Sequence, residues 1–363
     1  MAWRFDRFLY QRDKSFWTRI LLTPLYLLSL PYGWAVRLRG SAYSIGLLRG
    51  KRLSCPVISV GNITVGGTGK TPLVMALARR LMEREIPVAI LSRGYRGRKA
   101  SGSVVSDGQK ILLTPEESGD ESHLMARSLK GIPILVGKDR FVTGQMALQR
   151  FGIRGLLLDD GYQHLRLRRD LDIVLIDSRI GFGDHHLLPR GILREPLSRL
   201  RRAQVFILTK VEDPEGCKPL EARLREIHPG AEICHSHYVP TGLVGPKEEW
   251  EEIGGVKGKK AFALSGVADP KYFSFLLRKC GLEIVGERIF PDHHSYRSED
   301  LTSIKETVNK FDYLVTTEKD MVKLFKFKIG PVPLRALRIE LKIWEESEFY
   351  GRVMKLFSNQ KVL

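Results

Sequence analysis

The chain has 363 residues, of which 43% are hydrophobic and 28% are charged. These values are typical of a folded protein with room for two hydrophobic cores, and they exclude an intrinsically disordered chain. The formal net charge of +18 predicts attraction to an anionic partner such as a nucleic acid, an acidic membrane surface or a phosphorylated substrate. The four cysteines are widely separated and form no C-x-x-C, which favours reduced thiols over a disulfide framework.

Residues 1–52 form a basic, apolar and aromatic amino-terminal segment, which we take as part of the first domain. They carry ten Lys and Arg against two acidic residues, and the stretch 20–36 has no charge. This stretch is at the lower limit of the roughly 17–25 residues that cross a bilayer. Pro24 and Pro31 both disturb a spanning helix, so the sequence favours a broken segment lying in the membrane interface over a spanning or a buried helix. In each case the rest of the chain is predicted to be cytoplasmic, where nucleotide is available.

From residue 53 onward, short apolar runs alternate with amphipathic stretches. The apolar runs predict strands, and the stretches between several of them predict helices: strands at 57–61, 88–92, 132–137, 155–160, 172–177 and 204–210, and helices at 120–130, 139–151 and 215–227. Uninterrupted apolar runs are typical of parallel strands covered on both faces. Residues 53–233 are therefore predicted to form an α/β domain, a mostly parallel sheet flanked by helices.

The remainder is predicted to form a second, smaller α/β domain at 260–333. Residues 234–259 are polar and glycine-rich, which indicates a linker. Beyond it, strands and helices are expected to alternate, with strands at 260–266, 283–290 and 312–317 and helices at 270–281 and 298–310. The returning segment 334–363 contains a strand at 334–343, expected to pair with 234–244, and a helix at 344–357.

One loop between a predicted strand and a predicted helix has the chemistry to bind phosphate. Its sequence, TVGGTGKT, departs from the strict G-x-x-x-x-G-K-[ST] pattern, because Thr64 stands where the pattern opens with glycine. The loop still offers glycine backbone freedom, a lysine charge for the outer phosphates and a hydroxyl at Thr71 for Mg²⁺. The predicted cofactor-binding residues are therefore Thr64, Val65, Gly66, Gly67, Thr68, Gly69, Lys70 and Thr71.

Two adjacent aspartates, Asp159 and Asp160, end the predicted strand 155–160. Parallel sheets bind their ligands at the carboxyl ends of strands. Neighbouring carboxylates repel each other unless a cation is present. The pair is therefore predicted to hold Mg²⁺ beside the nucleotide, as in other phosphate-loop enzymes, and the pattern does not distinguish which carboxylate touches the metal.

Six motifs, in this order, resemble those of one family. They are VGNITVGGTGKTP (60–72), LSRGYRG (91–97), SGDE (118–121), DDGYQH (159–164), LLPRGILREP (187–196) and FPDHHSY (290–296). The chain resembles the tetraacyldisaccharide 4'-kinases of the lipid A pathway over most of residues 1–320. The resemblance implies a phosphate-loop kinase that uses ATP and Mg²⁺ and phosphorylates the 4'-hydroxyl of an acylated glucosamine disaccharide 1-phosphate. It also implies membrane association at the cytoplasmic face of the bacterial inner membrane, with no nucleic acid and no obligate protein partner.

The resemblance further implies roles that physical chemistry alone does not assign. Asp120 is similar to the family's general base, and His293, oriented by Asp292, assists it, with Lys70 completing the catalytic set. Glu121 is expected near the metal, together with Thr71, Asp159 and Asp160. By spacing alone, Asp107 is an equally good carboxylate for the role of base.

Substrate contacts are expected from side chains in the same motifs. Gln163 and His164 are implied to line the phosphate pocket. Arg93, Arg190 and Arg194 are candidates for anion contacts. Tyr95 is a candidate for packing on sugar or lipid, although a purely structural aromatic residue fits its pattern equally well.

Two other functions compete with the kinase. A phosphate-loop GTPase or metallochaperone is the alternative, because ILTKVED at 207–213 faintly resembles the base-reading pattern N/T-K-x-D, with Glu212 in the acidic position. A nucleic-acid-binding ATPase would use the basic surface, but no nucleic-acid-binding motif occurs in the chain. Because the positive charge lies beside an apolar, aromatic stretch, a membrane is the better anionic partner.

Overall fold

The computed structural model describes residues 16–99, 101–305, 310–327 and 331–358. Parts of the predicted amino-terminal segment (1–15), of the predicted helix 298–310 (306–309) and of the returning segment (359–363) lie outside the described residues.

Two helices open the described chain, α1 (Phe16–Leu21) and α2 (Thr23–Ser44). Pro24 lies in the first turn of α2, where no backbone N–H is needed, so it begins the helix rather than breaking it. The helix also continues through Pro31, so the break expected there is wrong. None of the helices that the structure describes combines the length and the hydropathy needed to cross a bilayer.

Helix α2 packs on the protein through small residues and leaves its large apolar residues outside. Gly33 lies against Leu187, and Gly40 lies against Arg199. The hydroxyl of Tyr32 donates a hydrogen bond of 2.8 Å to the carbonyl of Arg194. The exposed large apolar side chains of this region are Ile20, Leu21, Tyr26, Leu27, Leu28, Leu30, Trp34 and Leu38.

A mostly parallel sheet forms the first domain, as predicted. Its strands are β1 (Val57–Asn62), β2 (Val88–Ser92), β3 (Ser101–Ser106), β4 (Ile134–Gly137), β5 (Gly155–Asp159), β6 (Leu171–Asp177) and β7 (Val205–Thr209). Their order is β7-β6-β1-β5-β2-β4-β3, and only β3 is antiparallel to its neighbour. The helices of this domain are α3 (Lys70–Glu83), α4 (Pro115–Ser118), α5 (Asp120–Ser128), α6 (Arg140–Phe151) and α7 (Lys218–Ile227).

The second half of the chain extends the same sheet. Its strands are β8 (Glu232–Val244), β9 (Trp250–Glu252), β10 (Lys260–Ser265), β11 (Glu283–Ile289), β12 (Tyr313–Thr317) and β13 (Leu334–Ile343). Its helices are α8 (Ile253–Val256), α9 (Pro270–Lys279), α10 (Ser298–Lys305), α11 (Glu318–Leu324) and α12 (Glu346–Ser358). The helix α11 was not predicted from the sequence.

The strand β8 joins the two halves. Its first part pairs in parallel with β7, and its later part pairs antiparallel with β13. The predicted pairing of 234–244 with 334–343 is confirmed. Strands β10, β11 and β12 continue the sheet beyond β13 in the order β11-β10-β12-β13.

The packing of α3 on the sheet fixes the loop that precedes it. Leu73, Leu77 and Leu81 recur at helical spacing and are fully buried against the strands. Burial of each leucine stabilises the fold by about 1.5–3 kcal/mol. The amino terminus of α3 is thereby held at the carboxyl end of β1, which is where a phosphate loop must lie.

Candidate active site

The loop between β1 and α3 has the backbone geometry of an anion site. Gly66 and Gly69 have φ values of 110° and 93°, which only glycine adopts without strain. Gly69 is the amino-terminal cap of α3, so the free N–H groups of the first turn point into the loop. A Cβ added to Gly69 would lie 1.9 Å from the hydroxyl of Tyr238, a residue of β8. Gly67 lies against Ala268, so the second domain reaches the tip of the loop.

The atypical opening of the loop has a structural cause. Thr64 forms an antiparallel bridge with Leu193, and the N–H of Val65 donates a 2.8 Å hydrogen bond to the carbonyl of Ile192. This part of the loop is therefore extended, a conformation that threonine favours and for which glycine is not required. The N–H of Val65, expected among the cofactor-binding groups, is occupied by this bond.

One of the two aspartates, Asp160, pairs with cations. Its carboxylate lies 3.7 Å from Nζ of Lys70 and 3.0 Å from the guanidinium of Arg194. Burial raises the pKa of Asp160, but the charges of Lys70 and Arg194 outweigh it and hold the pKa below its ordinary value. Asp160 also has a φ of 53°, an uncommon conformation for a non-glycine residue.

The other aspartate, Asp159, is buried, and its Oδ1 has no hydrogen-bond partner among the residues that the structure describes. Burial, together with the charges of Glu121 and Asp160, raises its pKa to about 7. A buried carboxylate oxygen without a partner is costly unless a ligand satisfies it. The pKa values of the two neighbouring aspartates thus shift in opposite directions, because Asp160 is paired with protein cations and Asp159 is not.

Two groups beside these aspartates were not predicted as site residues. Arg140, in the first turn of α6, is buried, and burial and the charge of Arg93 lower its pKa while Asp159 and Asp160 oppose this effect. Asn62, at the end of β1, is fully buried, and within the described part of the chain neither the nitrogen nor the oxygen of its side-chain amide has a hydrogen-bond partner. Their positions at the carboxyl ends of β4 and β1 were the signal available in the sequence.

Two glycine-containing loops hold Asp120 at the start of α5. A Cβ on Gly97 would lie 2.5 Å from the carbonyl of Glu117, and a Cβ on Gly119 would lie 2.5 Å from the carbonyl of Tyr95. Only glycine permits this approach, so the loop after β2 and the turn before α5 pack directly against each other. The contact places Tyr95 and Asp120 together on the first-domain side of the boundary where residues of the two domains meet, which we call the cleft.

Across the cleft, His293 of the second domain faces Asp120. Nδ1 of His293 lies 3.4 Å from Oδ2 of Asp120, and the rings of His293 and Tyr95 are 5.2 Å apart. Burial raises the pKa of Asp120, but the hydrogen bond from His293 and the charge of Lys323 outweigh it and hold the pKa below its ordinary value. Asp292, expected to orient the imidazole, lies 3.8 Å from Nε2 of His293, beyond hydrogen-bond distance.

Two lysines of α11 complete this cluster and were not predicted. Nζ of Lys319 lies 3.1 Å from Nε2 of His293, 3.0 Å from Asp292 and 3.2 Å from Glu121. Nζ of Lys323 lies 3.0 Å from Oδ2 of Asp120. Burial lowers the pKa of Lys319, but the carboxylates of Glu121 and Asp292 outweigh it and keep the lysine charged.

Gln163 and His164, the two predicted pocket residues, follow Asp160 in the chain. Nε2 of Gln163 donates a 2.8 Å hydrogen bond to the carbonyl of Asn62. Burial and the charge of Arg140 lower the pKa of His164 to about 4, so its imidazole is neutral at neutral pH. Nε2 of His164 is without a hydrogen-bond partner in the ranges of the chain described above.

The remaining candidate residues differ in their contacts with other side chains. Arg93 follows β2 and is exposed, and its charge contributes to the lowered pKa of Arg140. Arg190 is buried, pairs with Asp184 at 2.7 Å and lines a cavity of about 630 Å³ between the loop 181–186 and the start of α7. Asp107, the alternative base, accepts hydrogen bonds from the N–H groups of residues 109 and 110 and closes a turn.

Lys210 and Glu212, the residues that suggested a GTPase, form ion pairs and hydrogen bonds with other side chains of the protein. Nζ of Lys210 lies 2.7 Å from Asp177 and 2.7 Å from Asp269. Glu212 accepts hydrogen bonds from the hydroxyl of Tyr272 and from Lys279. These contacts hold the second domain against the end of β7.

With this geometry in view, comparisons with known proteins assign the family. A family model described as "Tetraacyldisaccharide-1-P 4'-kinase" matches residues 19–358. The chain belongs to this family.

Individual relatives agree with the family model. A tetraacyldisaccharide 4'-kinase of Desulfatibacillum aliphaticivorans is 41% identical over 90% of this chain and 90% of its own length. The corresponding protein of Syntrophus aciditrophicus is 41% identical over 92% of this chain and 93% of its own length. Among solved structures, LpxK from Aquifex aeolicus in complex with ATP is similar with a TM-score of 0.74 and 30% identity, over 93% of this chain and 99% of that one.

Family and fold together decide the main predictions. The phosphate-loop α/β fold and the assignment as an ATP-dependent lipid-sugar kinase are confirmed. The family acts on a lipid disaccharide substrate. The GTPase or metallochaperone alternative is the weaker one.

Proposed function

We propose that this chain transfers the γ-phosphoryl group of ATP to the 4'-hydroxyl of an acylated glucosamine disaccharide 1-phosphate at a membrane surface, with the residue roles given below. One observation carries the assignment of roles. The Asp120–His293 pair spans the cleft between the two domains, and Glu121, next to Asp120 in the chain, is close enough to raise the pKa of Asp159 at the end of β5, the strand beside β1.

The loop residues bind and orient the nucleotide phosphates. The free N–H groups between Gly66 and Thr71 and the amino terminus of α3 attract the anionic oxygens. Lys70 places its charge on the outer phosphates, and Arg194 and Arg140 supply further positive charge nearby. On this assignment Lys70 exchanges its contact with Asp160 for a stronger one with the phosphate.

The residues present fit a magnesium ion. Among the described residues no three His, Cys, Asp or Glu side chains gather into a closed metal site, but Mg²⁺ in kinases needs only one or two carboxylates besides phosphate and water. The unpartnered Oδ1 of Asp159 favours Asp159 as the direct ligand, with Thr71, Asp160 and Glu121 nearby. When bound, Mg²⁺ neutralises charge on the phosphates.

Asp120 accepts the proton in the transfer step. The sugar oxygen attacks the γ-phosphorus, the bond between that phosphorus and the bridging oxygen of ADP breaks, and the hydroxyl proton passes to Asp120. From the second domain, His293 holds the Asp120 carboxylate in place to receive this proton, while Asp292 lies on the far side of the imidazole. Closure of the cleft around both groups excludes water and limits hydrolysis of ATP.

The substrate's sugar and phosphate are assigned to the side chains that open onto the cleft. Arg93 contacts anionic oxygens, Tyr95 packs on the sugar beside His293, and Gln163 and His164 line the pocket. Arg190 contributes from the neighbouring cavity, where its guanidinium is already held by Asp184.

The outward apolar face of α2 is the proposed membrane contact. Small residues face the protein and large apolar side chains face outward, the reverse of a helix on a water-exposed surface. Basic residues on both sides of the uncharged stretch favour anionic headgroups. On this proposal the surface lies on the cytoplasmic face of the inner membrane, and no nucleic acid and no obligate protein partner are expected.

The test is direct. Purified protein is incubated with ATP, Mg²⁺ and disaccharide 1-phosphate lipid, and a bis-phosphorylated product is sought by mass spectrometry. Lys70→Ala is expected to reduce product formation by at least about 100-fold. Lys218→Ala, which removes an exposed lysine on α7, serves as the matched control. Product formation by Lys70→Ala at the parental rate would overturn the assignment.

A further inference from the structure

Lys319 holds a position that the transfer chemistry described above leaves unused. It lies in α11, whose first turn is capped by Thr317 and which packs directly on α5. Lys319 and Lys323 are one helical turn apart and face the same side. Their ammonium groups meet the imidazole of His293 and the carboxylate of Asp120, one lysine to each.

The contact between Lys319 and His293 fixes where the imidazole carries its proton. A charged lysine has three N–H donors and no acceptor. At 3.1 Å from this ammonium, Nε2 of His293 must accept the hydrogen bond and is therefore unprotonated. A neutral imidazole then carries its proton on Nδ1, the nitrogen that faces Asp120 at 3.4 Å.

Of the groups around the imidazole, Asp120 and Lys319 favour this tautomer, and Asp292, which is farther from Nε2 than the lysine, opposes it. Asp120 on α5 faces Nδ1, Lys319 on α11 faces Nε2, and Asp292 lies 3.8 Å from Nε2. The ring of Tyr95 is uncharged, and Arg96 is bonded to the backbone carbonyl of His293 rather than to its ring. Without the lysine, Asp292 would be the nearest partner of Nε2 and would favour a proton there, which is the opposite tautomer.

We propose that Lys319 is a positioning residue that selects the Nδ1-protonated tautomer of His293 and so directs a hydrogen-bond donor at Asp120. This proposal rests on the proposed role of Asp120 as base. It makes Lys319 part of the proton-accepting unit, although the lysine does not touch the substrate. An imidazole in the opposite tautomer would turn a lone pair towards the carboxylate and repel it. The role resembles that of a carboxylate orienting a catalytic histidine, with a cation selecting the nitrogen instead.

The expected kinetic result separates this role from binding. Lys319→Met removes the donor and the charge, and we expect kcat to fall by about 10-fold to 100-fold, below the 10²-fold to 10⁴-fold effect of an acid–base group itself. The KM for ATP should stay within about 2-fold, because the contacts of Lys319 given above are with His293, Asp292 and Glu121 and do not include a residue of the phosphate loop. Lys319→Arg keeps a cationic donor and should restore most of kcat.

The matched control is Lys326→Gln. Lys326 follows α11 and pairs with Glu116 of the first domain at 3.2 Å, so its loss removes a link across the same cleft without touching His293. Its kcat and KM should equal those of the parental protein. A fall in kcat equal to that of Lys319→Met would overturn the proposal, because closure alone would then account for the loss.

Nitrogen-15 spectra of labelled histidine give a readout that does not depend on activity. His293 is assigned by comparison with His293→Gln. In the full-length parental protein, Nε2 should give the shift of an unprotonated nitrogen and Nδ1 that of a protonated one, and Lys319→Met should move the proton to Nε2 or add a second one. A protonated Nε2 in the parental protein, or an unchanged spectrum in Lys319→Met, would overturn the proposal. If the tautomer is as stated but no bis-phosphorylated lipid forms, the proposed function fails and the lysine assignment stands.

Discussion

Oδ2 of Asp120 and Nδ1 of His293 lie 3.4 Å apart although the two residues belong to different domains. Neither domain alone contains this pair, so the proposed proton acceptor and its supporting donor come together only when the cleft is closed. The pair supports the proposal of Asp120 as the base over Asp107, the competing carboxylate, which closes a surface turn.

Asp120→Asn should therefore reduce turnover by about 10²-fold to 10⁴-fold while ATP binding persists, because the carboxylate accepts a proton only in the transfer step. Single-turnover kinetics and the ATP dissociation constant are the measurements. Asp107→Asn is the matched control and should keep parental turnover. Equal losses in the two variants would contradict the choice of Asp120.

Asp159 should make the nucleotide-free protein less stable as the pH rises. Its pKa is about 7 in the folded protein, against about 3.9 in an unfolded chain, so the folded state binds the proton more tightly. The destabilisation appears as the pH rises between these two values and is complete above the higher one. Asp159→Asn should raise Tm at pH 8, and the gain should shrink as the pH falls towards 5, while kinase activity is lost.

Asp160→Asn gives the contrasting control. Its folded pKa lies below the ordinary value, so its stabilising effect is present at neutral pH and disappears at acidic pH. This variant should lower Tm at pH 8 under the conditions in which Asp159→Asn raises it. Thermal unfolding followed by circular dichroism at several pH values distinguishes them, and a pH-independent difference for Asp159→Asn would reject the raised pKa.

Gly69→Ala should weaken ATP binding by at least about 10-fold. The φ of 93° disfavours any residue with a Cβ, and that Cβ would lie 1.9 Å from the hydroxyl of Tyr238, so the loop must move. Isothermal titration with ATP measures the effect. Gly254→Ala is the control, because a Cβ there meets no atom within 4 Å. Parental affinity in Gly69→Ala would show that the loop does not bind phosphate through its backbone.

The proposed membrane contact on α2 predicts that vesicle binding can be lost without loss of kinase activity. Trp34 and Leu38 of α2 are 74% and 72% exposed, and burying each in lipid would contribute about 1.5–3 kcal/mol. The double variant Trp34→Glu, Leu38→Glu should bind anionic vesicles at least about 100-fold more weakly while phosphorylating detergent-dispersed substrate normally. Val142→Glu changes a residue of α6 that is 52% exposed and should bind vesicles as the parental protein does. Undiminished flotation of the double variant would place the membrane contact elsewhere.

Local sequence signals predicted much of the fold and the nucleotide half of the site. Buried parallel strands are uninterrupted apolar runs, and the loop glycines precede an amphipathic helix, so both are visible within a dozen residues. The strand β3 and the helix α11 were missed, because SGSVVS has weak β-propensity and EKDMVKL is a short, mostly polar helix. Because α11 was missed, its residues Lys319 and Lys323 were not predicted as part of the site.

Other features depend on contacts between residues distant in sequence. Thr64 departs from the expected glycine because residues 192 and 193 pair with the loop, and no local pattern reveals that bridge. The difference between Asp159 and Asp160 likewise depends on Arg194, which a later motif contributes. Sequence identified the pair but could not separate its members.

The strand β8 has a mechanical consequence. A flexible loop between two domains would let them rotate freely. Here the chain passes between the domains as an extended strand, whose backbone is hydrogen-bonded to β7 at one end and to β13 at the other. Any rotation of one half against the other must therefore twist this strand or break its backbone hydrogen bonds. A joint of this kind restricts the two halves to smaller rotations than a loop would allow.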